Sequence, residues 1–320
     1  MNKMSEKRVL ITDDCHPYLI EQLTAMGYCC DFFPEISPAE TLEKISTYVG
    51  LIINSKINVD QVFLDRAVKL EFVGRLGSGM EIVDRPYADK KGVFVMSSPE
   101  GNRNAVAEQA LGMLLSLANN LCRSDREVRQ LEWHREANRG WELMGKTIGI
   151  VGFGHTGSSF AAKLSGLGMQ VLAYDKYLYS GYADQMPWVQ EVQNLKEIQE
   201  NSQIISLHLP LHLETKHLVN QKFIEQCRKG FVLINTSRGK VVDTTAVIEA
   251  LETGQMGGAC LDVFENEKPK TFTEAEEKQF KKLYQFDQVV LTPHIAGWTQ
   301  ESKRRMAEML IEKLKRKFFN

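Results

Sequence analysis

Three polar residues of chemically useful types fall just past strand-like segments in the second half of the chain. Arg238 ends FVLINTSRG, Glu267 follows GACLDVF, and His294 ends QVVLTPH. Parallel strands deliver their carboxyl ends to one edge of a sheet, where α/β folds bind ligands, so residues distant in sequence converge there. Guanidinium is a planar fork for carboxylates, and imidazole is the side chain that titrates near neutral pH. Taken singly, each residue has an ordinary explanation as a solvated loop arginine, a surface glutamate or a turn histidine. Their common placement at strand ends gives the set its interest.

A second group has a more specific pattern. Gly152, Phe153, Gly154, His155, Thr156 and Gly157 form GxGxxG between the strand-like TIGIV and the helical run SSFAAKLSGLG. The first glycine permits the tight turn, the second lets a pyrophosphate approach the backbone, and the third lets helix and strand pack closely. The phosphates then sit at the positive end of a helix. The next strand, VLAYD, ends in Asp175, about 18 residues after Gly157. A carboxylate there accepts hydrogen bonds from ribose hydroxyls and repels a 2′-phosphate, which favours NAD over NADP, although Lys176 beside it softens that preference.

The elements that must position these residues alternate strand and helix along the chain. VLITD, LII, FVGR and VFVM mark a first parallel sheet, and from residue 147 TIGIVGFG, QVLAYD, QIISLHL, FVLINTS, GACLDVF and QVVLTPH mark a larger second one. Between them, the segment 102–120 is apolar around most of a helical circumference, so it is expected to be buried between domains or in a homodimer. The segment 299–319 has the pattern of one amphipathic helix returning to the first domain. The expected organisation is therefore a discontinuous domain of residues 1–98 and 295–320 and a second of residues 99–294, with the ligand cleft between them.

Composition excludes several other classes. At 320 residues, 43% hydrophobic and 25% charged, with a net charge of −2, the chain has the balance of a globular protein and no long-range attraction for nucleic acid or an anionic bilayer. Residues 1–14 lack the apolar core of a signal peptide, and no apolar run reaches the roughly 18 residues of a membrane span. The six cysteines include no CxxC pair and no zinc-like spacing, so reduced thiols in the cytoplasm and no metal are expected. Cys29 and Cys30, adjacent in a strand, point to opposite faces and make a poor redox pair.

Nearly the whole chain resembles the D-isomer-specific 2-hydroxyacid dehydrogenases. The blocks that carry the resemblance are GSGMEIVD (77–84), PEGNRNAVAE (99–108), ELMGKTIGIVGFGHTG (142–157), ISLHLPLHLETKHLVN (205–220), FVLINTSRGKVVD (231–243), GACLDVFENE (258–267) and LTPHIAGWT (291–299). It implies an α/β protein of two doubly wound parallel-sheet domains, a Rossmann NAD-binding domain and a flavodoxin-like substrate domain. It also implies that His294 is the acid/base, Glu267 its carboxylate partner and Arg238 the substrate clamp. Reduction of a keto acid needs a proton at the carbonyl oxygen as hydride reaches the carbon, and those three side chains suit that task.

By the same resemblance, Gly77, Ser78 and Gly79 form an anion-binding nest for the substrate carboxylate. His208, Pro210, Thr236 and Asp262 become cofactor contacts, with Asp262 near the nicotinamide amide; His208 and Pro210 equally suit strand-end packing. Lys56, Arg75 and Arg103 border the substrate's third carbon in the family, where a phosphate needs cations, and Asn102 is a candidate for substrate hydroxyls. D-3-phosphoglycerate and glycerate/hydroxypyruvate are the expected substrates. An NAD-sensing regulatory module on the same fold is the alternative. Two departures stand out. Glu81 replaces the family's aspartate, and the proline expected after the catalytic acid is displaced to Pro269, which leaves Glu265 as a rival to Glu267. About 26 residues follow His294, too few for a regulatory extension.

Overall fold

The computed structural model describes residues 6–319; the polar start, residues 1–5, lies outside the described residues. The chain divides into two compact units, residues 1–103 with 297–320, and residues 104–296. The crossings fall at 103/104 and 296/297 rather than at 98/99 and 294/295. The helix Pro99–Ala118 is continuous through the first crossing, so its opening turn belongs to the first unit although it lies beyond the last strand.

The first unit is built on five parallel strands: β1 (Arg8–Ile11), β2 (Cys29–Phe32), β3 (Gly50–Ile53), β4 (Phe72–Arg75) and β5 (Phe94–Ser97), in the order β2-β1-β3-β4-β5. Val9 to Ile11 and Leu51 to Ile53 are wholly buried, the continuous apolar run expected of strands covered on both faces. β2 escapes the apolar pattern because it is an edge strand with half-exposed residues, CCDF. All six cysteines are thiols.

The amphipathic tail is the helix Gln300–Phe318, and it completes this unit. Thr299 caps it by accepting from Ser302 N, and Ser302 Oγ accepts from Thr299 N. Met306, Ala307, Leu310, Ile311 and Leu314 recur at helical spacing and are buried against Val9, Ile11, Ile52 and Phe72.

The second unit carries seven parallel strands: β6 (Thr147–Val151), β7 (Gln170–Tyr174), β8 (Val189–Glu191), β9 (Ile204–Leu207), β10 (Phe231–Asn235), β11 (Met256–Leu261) and β12 (Val289–Leu291). Their order is β12-β11-β10-β9-β6-β7-β8, so the direction of winding reverses between β6 and β9. Such a switch point opens a crevice at the carboxyl edge. Six of these strands are legible as apolar runs; β8, another half-exposed edge strand, is not.

The apolar helix Pro99–Ala118 is covered largely from within this unit. Ala107, Ala110, Met113, Leu114, Leu117 and Ala118 pack in one core with Ile148, Ile150, Val232, Ile234 and Cys260. Burial of this helix therefore requires no second copy of the chain. Among the described residues, no helix is long and apolar enough to cross a membrane, and no cluster of three or more His, Cys, Asp or Glu is placed to hold a metal.

Candidate active site

At the switch point, β6 ends in a turn that only glycine can make. Gly152 has φ +90°, and a Cβ there would lie 2.4 Å from the carbonyl oxygen of His208, the residue after β9. A Cβ on Gly157 would lie 2.0 Å from Gly152 O. Gly154 differs, since its Cβ would meet nothing within 4 Å. It is the cap of the helix His155–Leu164 and offers no side chain to the first-turn amides, so Gly154, His155 and Thr156 border a space into which those N–H groups point.

Asp175 stands just past β7. Its Oδ2 accepts from Phe153 N at 2.8 Å and its Oδ1 from Tyr177 N at 2.9 Å, which fixes the carboxylate beside the glycine turn. A cleft of about 290 Å³ is lined by Gly152, Gly154, Asp175, His208, Leu209, Pro210 and Leu218 among others. His208 lies at its wall: burial lowers the imidazole's pKa to about 3, so the ring is neutral, bonded to Ser206 Oγ at 2.9 Å and packed on Phe160. At the end of β10, Thr236 Oγ1 is buried with no hydrogen-bond partner in the chain. A glycine cradle open only at Gly154, a fixed carboxylate and an unmatched buried hydroxyl suit a dinucleotide with a pyrophosphate, a ribose diol and a polar head.

The three strand-end residues meet in the same unit. His294 Nδ1 is 2.7 Å from Glu267 Oε2, and Glu267 Oε1 accepts from Phe264 N at 3.2 Å. The Glu267 hydrogen bond and charge raise the His294 pKa against the opposing effects of burial and of Arg238's charge. Burial pushes the Glu267 carboxyl up, but His294, the Phe264 N–H and the Arg238 charge together bring it below the usual carboxylate range. Arg238 therefore stands close enough for its charge to act on both partners. Its Nη1 donates to Ser237 O at 2.7 Å.

Glu265 has a different task. It bridges His217 Nε2, at 2.5 Å, and Thr244 N, at 3.0 Å, and so fastens its loop to the segment after Arg238. The two acids are thus separated by geometry, with Glu267 alone on His294.

Two buried polar residues hold this set, a task that the sequence reading assigned to neither. Asp262 is fully buried, with Oδ1 accepting from Thr292 Oγ1 at 2.5 Å and Ile295 N at 2.9 Å, and Oδ2 from Ala296 N at 2.9 Å. Its backbone oxygen accepts from His294 N at 2.8 Å. It grips the turn in which His294 sits at φ +56°, a left-handed conformation that a non-glycine residue keeps only when its surroundings impose it. Asn235, also fully buried, accepts from Ser237 N and Oγ and donates to Arg238 O, shaping the turn that presents the arginine. The available signal was a lone polar residue closing an apolar strand, as in FVLIN and GACLD.

In the first unit, Arg75 and Gly77 to Gly79 come together at the carboxyl end of β4. Arg75 Nε donates to Asn54 O at 3.1 Å, and its Nη1 would lie 2.7 Å from a Cβ on Gly77. Gly77 N also donates to Ser98 Oγ, and Ser78 is half-buried. Lys56 does not join them, because its ammonium donates to Pro34 O at 2.5 Å. Asn102 is buried beside Gly297, with Oδ1 unpartnered.

The profile of "D-isomer specific 2-hydroxyacid dehydrogenase, NAD binding domain" matches residues 111–296. The chain is 31% identical to D-3-phosphoglycerate dehydrogenase of Methanocaldococcus jannaschii over 309 residues, covering 97% of this chain and 57% of that one. It is 33% identical to the Bacillus subtilis protein of the same name over 307 residues, covering 96% and 56%. It thus spans little more than half the length of these relatives. Among solved structures, D-lactate dehydrogenase of Aquifex aeolicus, complexed with NAD and lactic acid, superposes with TM-score 0.83 at 27% identity, covering 97% of this chain and 94% of that one.

One close approach is open to test. A Cβ on Gly239 would lie 1.9 Å from Phe264 O, so the Arg238 and Glu267 loops pack through a position that tolerates no side chain. Gly239→Ala is expected to cost at least about 1–3 kcal/mol in urea unfolding. Wild-type stability in that variant would show that the loops can separate freely.

Proposed function

The chain belongs to the D-isomer specific 2-hydroxyacid dehydrogenases and carries their NAD binding domain at residues 111–296, and from that premise we propose that it interconverts a 2-keto acid and its D-2-hydroxy acid. The observation that carries the proposal is the hydrogen bond between His294 and Glu267, within reach of the Arg238 charge. NAD, when bound, supplies or accepts the hydride at the substrate's second carbon.

In reduction, imidazolium His294 gives its Nε2 proton to the carbonyl oxygen while Nδ1 remains on Glu267, which orients the ring and stabilises its charge. In oxidation, the same Nε2, unprotonated, takes the hydroxyl proton. Arg238 grips the substrate carboxylate as a planar fork and polarises the carbonyl. Gly152, Gly154, His155, Thr156 and Gly157 cradle the pyrophosphate, and Asp175 accepts from the ribose hydroxyls. His208, Pro210, Thr236 and Asp262 complete the cofactor side, Asp262 through the turn it holds. A binding module that only senses NAD has no use for a histidine whose pKa a paired carboxylate raises, and this favours turnover over the regulatory alternative.

We assign the substrate to the three-carbon acids, D-3-phosphoglycerate or glycerate/hydroxypyruvate, with Arg75, Gly77, Ser78, Gly79 and Asn102 as its contacts. The names of the relatives and the Arg75 guanidinium beside Gly77 support this, whereas Lys56, turned to Pro34 O, needs to swing away before it can contribute. A homodimer is also proposed, through the helix Leu121–Arg129 and the turn after it. That helix has no buried residue, and Leu121, Val128, Leu131 and Trp133 are exposed. Trp133→Asp should therefore lower the sedimentation coefficient of the protein toward that of a monomer; a wild-type coefficient of one chain would refute the dimer.

NADH consumption with hydroxypyruvate, phosphohydroxypyruvate, pyruvate and glyoxylate tests the activity. His294→Ala should lower kcat about 10²- to 10⁴-fold, and a variant within tenfold of wild type would remove His294 from proton transfer. Glu267 raises the His294 pKa, and reduction needs the protonated ring. Reduction by wild type therefore falls off only as pH rises through that raised value, and Glu267→Gln should move this fall to lower pH. If a phosphate is bound, Arg75→Ala should raise KM for phosphohydroxypyruvate roughly tenfold more than for hydroxypyruvate; equal changes would argue for the unphosphorylated acid.

A further inference from the structure

The mouth of the dinucleotide cleft carries a charged pair that hydride transfer does not require. The ammonium of Lys176, the residue after Asp175, donates to Glu214 Oε2 at 2.5 Å, and the Tyr177 hydroxyl donates to the same oxygen at 2.8 Å. The ammonium also lies 5.5 Å from the centre of the Tyr177 ring. Glu214 arrives from a separate element, the turn that follows β9. That turn has its own internal bonds: Thr215 Oγ1 donates to Pro210 O at 2.6 Å and accepts from His212 N at 3.0 Å, and Glu214 N donates to His212 Nδ1 at 3.3 Å. Asp175, Lys176, Tyr177, His212 and Glu214 all line the cleft, and Lys176 is the one lysine or arginine among its described lining residues.

Stability does not account for this pair. The two side chains are 54% and 56% exposed, and ion pairs so open to water contribute little to folding. Their effect on a ligand is larger. Asp175 discriminates against a 2′-phosphate by charge, but a lysine next to it is a compact cation that phosphate binds well. Left unengaged, Lys176 would cancel Asp175 and admit the phosphorylated dinucleotide. Glu214 occupies the ammonium and adds a second negative charge, so that Asp175, Lys176 and Glu214 carry one net negative charge where Asp175 and Lys176 alone would cancel.

We propose that Glu214 is a specificity-determining residue, which excludes 2′-phosphorylated dinucleotides by holding Lys176 across the mouth of the cleft. The inference rests on the dinucleotide reading of that cleft. It extends the discrimination from the strand-end acid to a residue of a different loop, about 40 positions away in sequence.

The test is calorimetric binding of 5′-AMP and of adenosine 2′,5′-bisphosphate to the full chain, to Glu214→Gln and to the double variant Lys176→Met with Glu214→Gln. Wild type should prefer 5′-AMP. Glu214→Gln should shift the ratio of the two Kd values toward the bisphosphate by about fivefold at low salt, as expected for one charge at short range in water, and by less at high salt. The double variant should lose that gain, because the gain requires the released ammonium. A ratio unchanged in Glu214→Gln, or a gain that survives the loss of Lys176, would overturn the role of Glu214 while leaving the dinucleotide reading intact. Failure of the wild-type chain to bind 5′-AMP would instead overturn the dinucleotide reading and the inference with it.

Discussion

The buried carboxylate of Asp262 is the constraint on which the rest of the candidate site depends. It lies at the end of β11 with no exposure to water, where a polar group must be hydrogen-bonded. Three donors from residues 292–296 satisfy it, and all three come from the turn after β12. The cost of burying these oxygens without partners thereby enforces the shape of the turn, and His294 is held in a backbone conformation that its own preferences disfavour. Glu267, only five residues further along the same loop, then meets the imidazole. Glu267 and the loop that carries His294 thus share one anchor.

Arg238 is presented by a related device. Asn235 closes β10 and turns its side chain onto the residues that follow, so the arginine leaves the sheet at a fixed angle. The two presenting loops then touch through Gly239 and Phe264, and Glu265 ties the second loop to His217 and Thr244. Each functional group is thus backed by a buried polar residue at the end of its own or a neighbouring strand. Such networks are stable when every member is satisfied, and here the backbone supplies most of the partners.

The cofactor cleft follows a different logic, in which backbone shape matters more than side-chain pairing. The reversal of winding between β6 and β9 opens the crevice, glycines bring helix, turn and strand close together, and the uncapped start of the helix His155–Leu164 provides amides. Charge enters at the rim, where Asp175 is fixed by Phe153 N and Tyr177 N and where Lys176 and Glu214 face each other.

Much of this was legible in the sequence, for identifiable reasons. Central strands of a parallel sheet are apolar on both faces, so their runs stand out, and the residues at their carboxyl ends are known once the runs are known; Arg238, Glu267, His294 and Asp175 were found in that way. The edge strand β8 was not, because half-exposed residues break the pattern, and for the same reason β2 was marked only at its Cys29-Cys30 pair. Nor does strand order tell Glu265 from Glu267, since two acids one residue apart in a loop differ only in what the folded chain puts beside them: His217 and Thr244 N for one, His294 for the other. The direction in which Lys56 points, the task of Asp262 and the pairing of Lys176 with Glu214 belong to the same class. The local sequence determined which groups are present and which strand end carries each, because those depend on periodicity along the chain. Only the tertiary structure decided the partners, because partnership depends on distances between segments far apart in the sequence.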